Sequence, residues 1–166
     1  MTRFRKLGLV ILVLFFCTGC DQVTKVVAQK MLASTAPVSL LNDTIRIQYT
    51  ENPGAMLSLG AKLPAEARFV FFVLFVGLML TVTLVYAVKT NGLNSMQLTG
   101  LALITSGGIG NFLDRLFNHG AARDFMNIGI GSIRTGIFNV ADLLIVAGIA
   151  VFIFFSARSQ KHAITA

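Results

Sequence analysis

A chain of 166 residues that is 55% hydrophobic and only 13% charged, with a mean hydropathy of +0.76, is not an ordinary soluble domain; such domains carry about 25% charged residues. The net charge is +7, yet no run of Lys/Arg is longer than Arg3, Arg5 and Lys6, so the basic balance reads as membrane-flanking charge and not as a nucleic-acid surface. The length suits one membrane α-helical domain, residues 1–166, with little room for a separate soluble module.

In chain order, the first apolar segment runs from Leu7 to Gly19, and Asp21 to Met31 continues it with helical periodicity, a span of about 7–28. Cys17 and Cys20 lie inside it as a CxxC. Without a strand-helix redox context they read as small buried hydrophobes. His119 and His162 have no companion ligands nearby, so no metal site is expected.

Val38 to Gly60 reads as a small β-structure outside the bilayer. Ile45, Ile47 and Tyr49 alternate with Arg46, Gln48 and Thr50, and Asn52-Pro53-Gly54 is a turn signal. Pro64 to Arg68 predicts a short helix lying at the interface. Phe69–Val88, Leu98–Phe117 and Ile137–Phe155 complete four predicted spans, with no internal repeat. If the N-terminus is cytoplasmic, four spans return the C-terminus there. The inner segments then hold Arg3, Arg5, Lys6, Lys89, Arg158 and Lys161 and no acid.

Intramembrane charge is costly and is a functional hypothesis by default. Here Asp21 and Lys25, then Asn111, Asp114 and Arg115, then Asn139 and Asp142, all fall at the same end of their spans, and Asp124 lies on the connection between the last two. Residues three and four apart share a helix face, so each helix offers one polar stripe. Gly107, Gly108 and Gly110 would permit close helix approach. Asp21–Lys25 and Asp114–Arg115 read as structural acid-base pairs. Asp124 and Asp142 have no basic partner at helical spacing. Arg123 adjoins Asp124 but would point elsewhere in regular structure. Two carboxylates brought together cannot both ionise cheaply, so the pair can share one proton and serve as base and acid.

Five stretches, in this order, resemble the lipoprotein signal peptidase (signal peptidase II) family of bacterial membrane aspartyl peptidases. They are Asp21-Gln22-Val23-Thr24-Lys25, Asn52-Pro53-Gly54-Ala55-Met56, Gly110-Asn111-Phe112-Leu113-Asp114-Arg115, Asp124-Phe125 and Phe138-Asn139-Val140-Ala141-Asp142. The resemblance covers roughly Asp21 to Ile145. It implies that Asp124 and Asp142 are the catalytic pair, with Asn52, Gly54, Asn111, Asp114, Arg115 and Asn139 as the supporting and substrate-binding shell. It further implies an inner-membrane enzyme, monomeric and without cofactor. Its site would face the periplasm, cut diacylglyceryl-modified prolipoproteins before the lipidated Cys, and bind the cyclic peptide globomycin. Arg123 departs from the family pattern, where an apolar residue precedes the Asp. Leu57 and Leu59 stand where Phe is common.

Two other readings compete. Thr18-Gly19-Cys20 loosely resembles a lipobox, which would make the chain itself a lipoprotein, but three further spans have no place in one. A small transporter or proton relay would also use intramembrane acids, but would place them deep in the bundle or on repeated halves.

Overall fold

The computed structural model describes residues 2–55 and 59–164, with side chains described as far as Ser159. Met56 of the Asn-Pro-Gly-Ala-Met stretch and the departure at Leu57 lie outside the described residues, and so does the His162 side chain.

Helix α1 spans Arg3–Leu32 and is capped by the Thr2 hydroxyl, which accepts from the Arg5 N–H. Its burial is inverted relative to a soluble helix. Ile11, Leu12, Phe15 and Phe16 are exposed, whereas Lys6, Val10, Asp21, Lys25 and Ala28 are buried. That pattern needs apolar surroundings outside and polar partners inside. Strands β1 (Val38–Leu40) and β2 (Ile45–Asn52) follow. Helix α2 (Ala65–Phe69) does not lie apart from the next span as the sequence predicts. It runs through a π-helical segment, Val70–Phe75, straight into α3 (Val76–Lys89), because nothing after Pro64 breaks the helix.

Helix α4 (Ser95–Phe117) opens on a capping box in which Asn94 and Gln97 bond each other's backbone N–H, three residues before the predicted start of the span. Strands β3 (Ala122–Ile130) and β4 (Ile133–Arg134) precede α5 (Val140–Ile164). Among the described residues three helical stretches, Arg3–Leu32, Ala65–Lys89 and Val140–Ser159, are long and apolar enough to cross a membrane. At 23 residues α4 is about 34 Å long. It is enclosed by α1, α3 and α5, and buries Gln97, Thr105, Ser106 and Asp114 along with its apolar face. A helix wrapped by protein need not be apolar all round, which accounts for its lower hydropathy.

Small residues set the α4–α5 distance. A methyl group at Gly100 would lie 2.8 Å from the Phe152 nitrogen, and one at Gly148 would lie 2.7 Å from the Gly100 carbonyl. Gly107, Gly108 and Gly110 face Ala141, Leu80 and Asp21, one neighbouring helix each.

The four strands form one antiparallel sheet in the order β1-β2-β3-β4. The expected β-region at 38–60 supplies two of these strands, and the sheet extends beyond it. The second strand ends at Asn52, and half the sheet comes from residues 122–134, predicted only as a connection. Strand β3 buries residues on both faces, among them the polar Asp124 and Asn127, so its sequence shows no apolar alternation. The β2–β3 register sets Thr50 opposite Asp124 and Asn52 opposite Ala122, with an irregularity between Ile47 and Thr50.

Candidate active site

Beneath the sheet lies a network of buried charges. Lys25 is fully buried, and its ammonium uses all three donors, on Asp21 at 2.8 Å, on Asp114 at 2.9 Å and on the Asn111 amide oxygen at 2.9 Å. Asp21 accepts in addition from the Ala141 N–H at 2.8 Å, satisfying a donor in the first turn of α5 that has no helical partner. The fourth member is Arg123. Its guanidinium bonds Asp114 Oδ1 from both Nε and Nη2, and its backbone N–H bonds Asp114 Oδ2. Two acids and two cations thus form a neutral set across α1, α4 and β3, the condition under which buried charge is tolerated. The expected Asp114–Arg115 pair is not formed, because adjacent helix residues point in different directions. Arg115 instead donates to the backbone carbonyls of Gly54 and Asn111 and lies 5.1 Å from the Phe72 ring centroid.

The two remaining acids lie above this network. Asp124 projects from β3, with one carboxylate oxygen accepting from the Asn52 amide at 3.0 Å and the other from the Asn139 amide at 2.5 Å. Asn52 is fixed in turn by the Gly54 N–H on its oxygen and by donation to the Ala55 carbonyl. Asp142 stands in the first turn of α5 and accepts from the Asn111 amide at 2.9 Å. The fully buried Asn139 amide also reaches the Asn111 oxygen and the Arg123 carbonyl. Asn111 and Asn139 therefore hold each carboxylate to the other's supports.

Both carboxylates line one cavity of about 250 Å³, with Asn52, Asn111, Arg115 and Phe72 around them. Burial pushes the Asp124 carboxyl up to about 6. The Asn52 amide pulls it back, the Asp142 carboxylate pushes it up again, and Asn139 and Lys25 oppose that rise. A raised carboxyl beside a second one in a shared cavity can hand over one proton and take up another.

All the residues singled out in the sequence converge here: Asp124, Asp142, Asn52, Gly54, Asn111, Arg115 and Asn139 at the cavity or in contact with its walls, and Asp21, Lys25 and Asp114 below it. Sequence reasoning missed Arg123 as a network member, and with it Gln22 and Gln29, whose side-chain oxygens accept from the Arg123 guanidinium at 3.0 and 3.4 Å. Gln22 and Gln29 are seven apart on one face of α1, the only signal in the sequence for that role. Cys17 and Cys20 are both free thiols, Cys20 exposed.

The sequence model of the Signal peptidase (SPase) II family matches residues 12–158. The chain is 33% identical over 164 residues to the lipoprotein signal peptidase of Borrelia hermsii, covering 96% of this chain and 95% of that one. It is 32% identical to that of Paraburkholderia phymatum, covering 95% and 90%. Its fold resembles a bacterial membrane enzyme structure determined by the in meso method at 2.3 Å resolution, with a TM-score of 0.80 at 24% identity, over 93% of this chain and 91% of that one.

Proposed function

The chain belongs to the signal peptidase II family of aspartic peptidases, and from that premise we propose that Asp124 and Asp142 together activate water to remove signal peptides from diacylglyceryl-modified prolipoproteins. The observation that carries this reading is the shared cavity. Two carboxylates line it, each held by its own asparagine donor, and Asn139 ties both to one frame.

In the working form the two carboxyls share one proton, and the raised Asp124 carboxyl is assigned as its donor. Asp142 takes a proton from water as the water oxygen attacks the carbonyl carbon before the lipidated Cys, while Asp124 gives its proton to the carbonyl oxygen. As the tetrahedral diol collapses and the C–N bond breaks, Asp142 gives its proton to the leaving amine and Asp124 takes one back from a diol hydroxyl. The pair is then ready for another water. The Arg115 guanidinium lines the same cavity and supplies positive charge near the developing oxyanion. No step calls on a metal or organic cofactor.

A lipid-anchored substrate lies in the membrane, and the cavity opens where the helices meet the sheet. The four long helices span the inner membrane with both termini cytoplasmic, which places the acid-rich end, with the sheet and the cavity, at the periplasmic face. A globomycin-type cyclic peptide would compete for the same cavity. Turnover of a lipidated prolipoprotein by purified Asp124→Asn and Asp142→Asn tests the assignment. Both are expected to fall by at least about a thousandfold while remaining folded. Near wild-type turnover by either ends it.

A further inference from the structure

At the end of the bundle away from the sheet, about 28 Å along α1 from Lys25 at 1.5 Å per residue, a recess of about 520 Å³ opens between α1 and α3. It is lined by Arg3, Lys6, Val88, Lys89 and Asn91. Lys6 is 5% exposed, and its ammonium makes one hydrogen bond, to the Thr90 carbonyl at 2.7 Å. None of Arg3, Lys6 and Lys89 forms an ion pair among the described residues. All seven acids of the chain, Asp21, Asp43, Glu51, Glu66, Asp114, Asp124 and Asp142, belong to the other end. Three cations thus share one recess with no carboxylate, and one of them is withdrawn from solvent. Lys25 in the same helix shows what a buried ammonium otherwise requires, two carboxylates and an amide oxygen.

The surroundings indicate which anion fits. One turn from Arg3 is Leu7, 43% exposed, and one turn from Lys89 are Val85 and Tyr86, both 46% exposed. Charge at the mouth with exposed apolar side chains directly beneath it matches a phospholipid, with its phosphate among the cations and its chains against the helices. A free phosphate would use only the upper half of that surface.

We propose that the Arg3–Lys6–Lys89 recess binds the phosphate of an anionic membrane phospholipid. This site is separate from the cavity that holds Asp124 and Asp142, and it is independent of their assigned chemistry. Full-length protein in neutral detergent would be titrated with phosphatidylglycerol, with phosphatidylcholine and with inorganic phosphate, reading bound lipid by native mass spectrometry and the thermal unfolding midpoint. Arg3→Gln/Lys89→Gln is the variant of choice, since both residues are exposed and its fold and basal cleavage should survive. Phosphatidylglycerol is expected to bind at least about tenfold more tightly than phosphatidylcholine, and the double variant to lose most of that preference. Equal binding of the two lipids, or an unchanged preference in the variant, would overturn the proposal. Inorganic phosphate that displaces phosphatidylglycerol at similar concentration would overturn the lipid source and leave a site for soluble phosphate.

Discussion

Asn139 and Asp142 cap each other across the first turn of α5. The Asn139 amide oxygen accepts from the Asp142 N–H at 3.0 Å, and the Asp142 carboxylate accepts from the Asn139 N–H at 3.2 Å. The same reciprocal bonding starts many helices. Here the carboxylate that closes it also lines the cavity, so the start of α5 and the aim of one acid are fixed together. Asn139→Ala removes the cap, worth about 1 kcal/mol, and also the donor to Asp124. Turnover per folded molecule is expected to fall by about 10- to 100-fold, less than in either Asp→Asn variant. A larger loss than theirs at equal folded protein would move Asn139 into the chemistry.

The raised carboxyl of Asp124 has consequences for stability as well as for rate. A carboxyl lifted from 3.8 to about 6 favours the folded state below pH 4 and loses that contribution as pH rises through 6. At pH 8 the ionised form is a burden on the fold of up to about 3 kcal/mol, from two pKa units. Asp124→Asn should therefore unfold at a higher temperature than the wild type at pH 8 and show little or no advantage at pH 4.5. The wild-type kcat/KM should fall above about pH 6 as the donor proton is lost. A stability difference independent of pH would remove the raised carboxyl from the account.

The α4–α5 seam is expected to be intolerant of volume without touching the chemistry. Gly100→Val must displace the Phe152 backbone or part the helices, at a cost of about 1–3 kcal/mol. Gly19→Ala has nothing within 4 Å and should be neutral or slightly stabilising. Thermal unfolding in detergent would rank them. Activity per folded molecule should be near wild type in both.

Much of this arrangement is legible in the sequence because a bilayer makes polarity conspicuous. Asp21, Lys25, Asn111, Asp114 and Asn139 stand out against apolar helices, and they are the residues the structure brings together. Strand β3 escapes notice for the same reason in reverse: it is buried on both faces and carries the polar Asp124 and Asn127 there, so the alternation that betrays a half-buried strand is absent. Pairing is harder to read than membership. Lys25 meets Asp114 across 89 residues, and Arg115 serves the Gly54 carbonyl across 61. No local spacing encodes either contact. Helix ends follow caps and not hydropathy, which is why α4 begins at Ser95 and α5 at Val140.

Arg123 offers the sharpest test of how the buried charges support the pair. It sits beside Asp124 on β3, and strand alternation turns its side chain the other way, onto Asp114, Gln22 and Gln29. Its own N–H bonds Asp114, and its carbonyl accepts from the Asn139 amide that also holds Asp124. Arg123→Met keeps most of the side-chain length but leaves Asp114 with Lys25 as its one cation, and leaves the Gln22 and Gln29 oxygens without that donor. Breaking a buried pair from one side costs about 3–5 kcal/mol, so the variant should be markedly less stable. Asp114→Asn in the same chain should recover part of the loss, because the unmatched charge is then gone. The effect on cleavage should fall on kcat more than on KM, since the displaced element carries Asp124. Arg123→Lys should sit between the two, retaining charge without the forked geometry. Equal stability of Arg123→Met and the wild type, or strictly additive losses in the Arg123→Met/Asp114→Asn double variant, would show that Arg123 merely lies over the network and does not complete it.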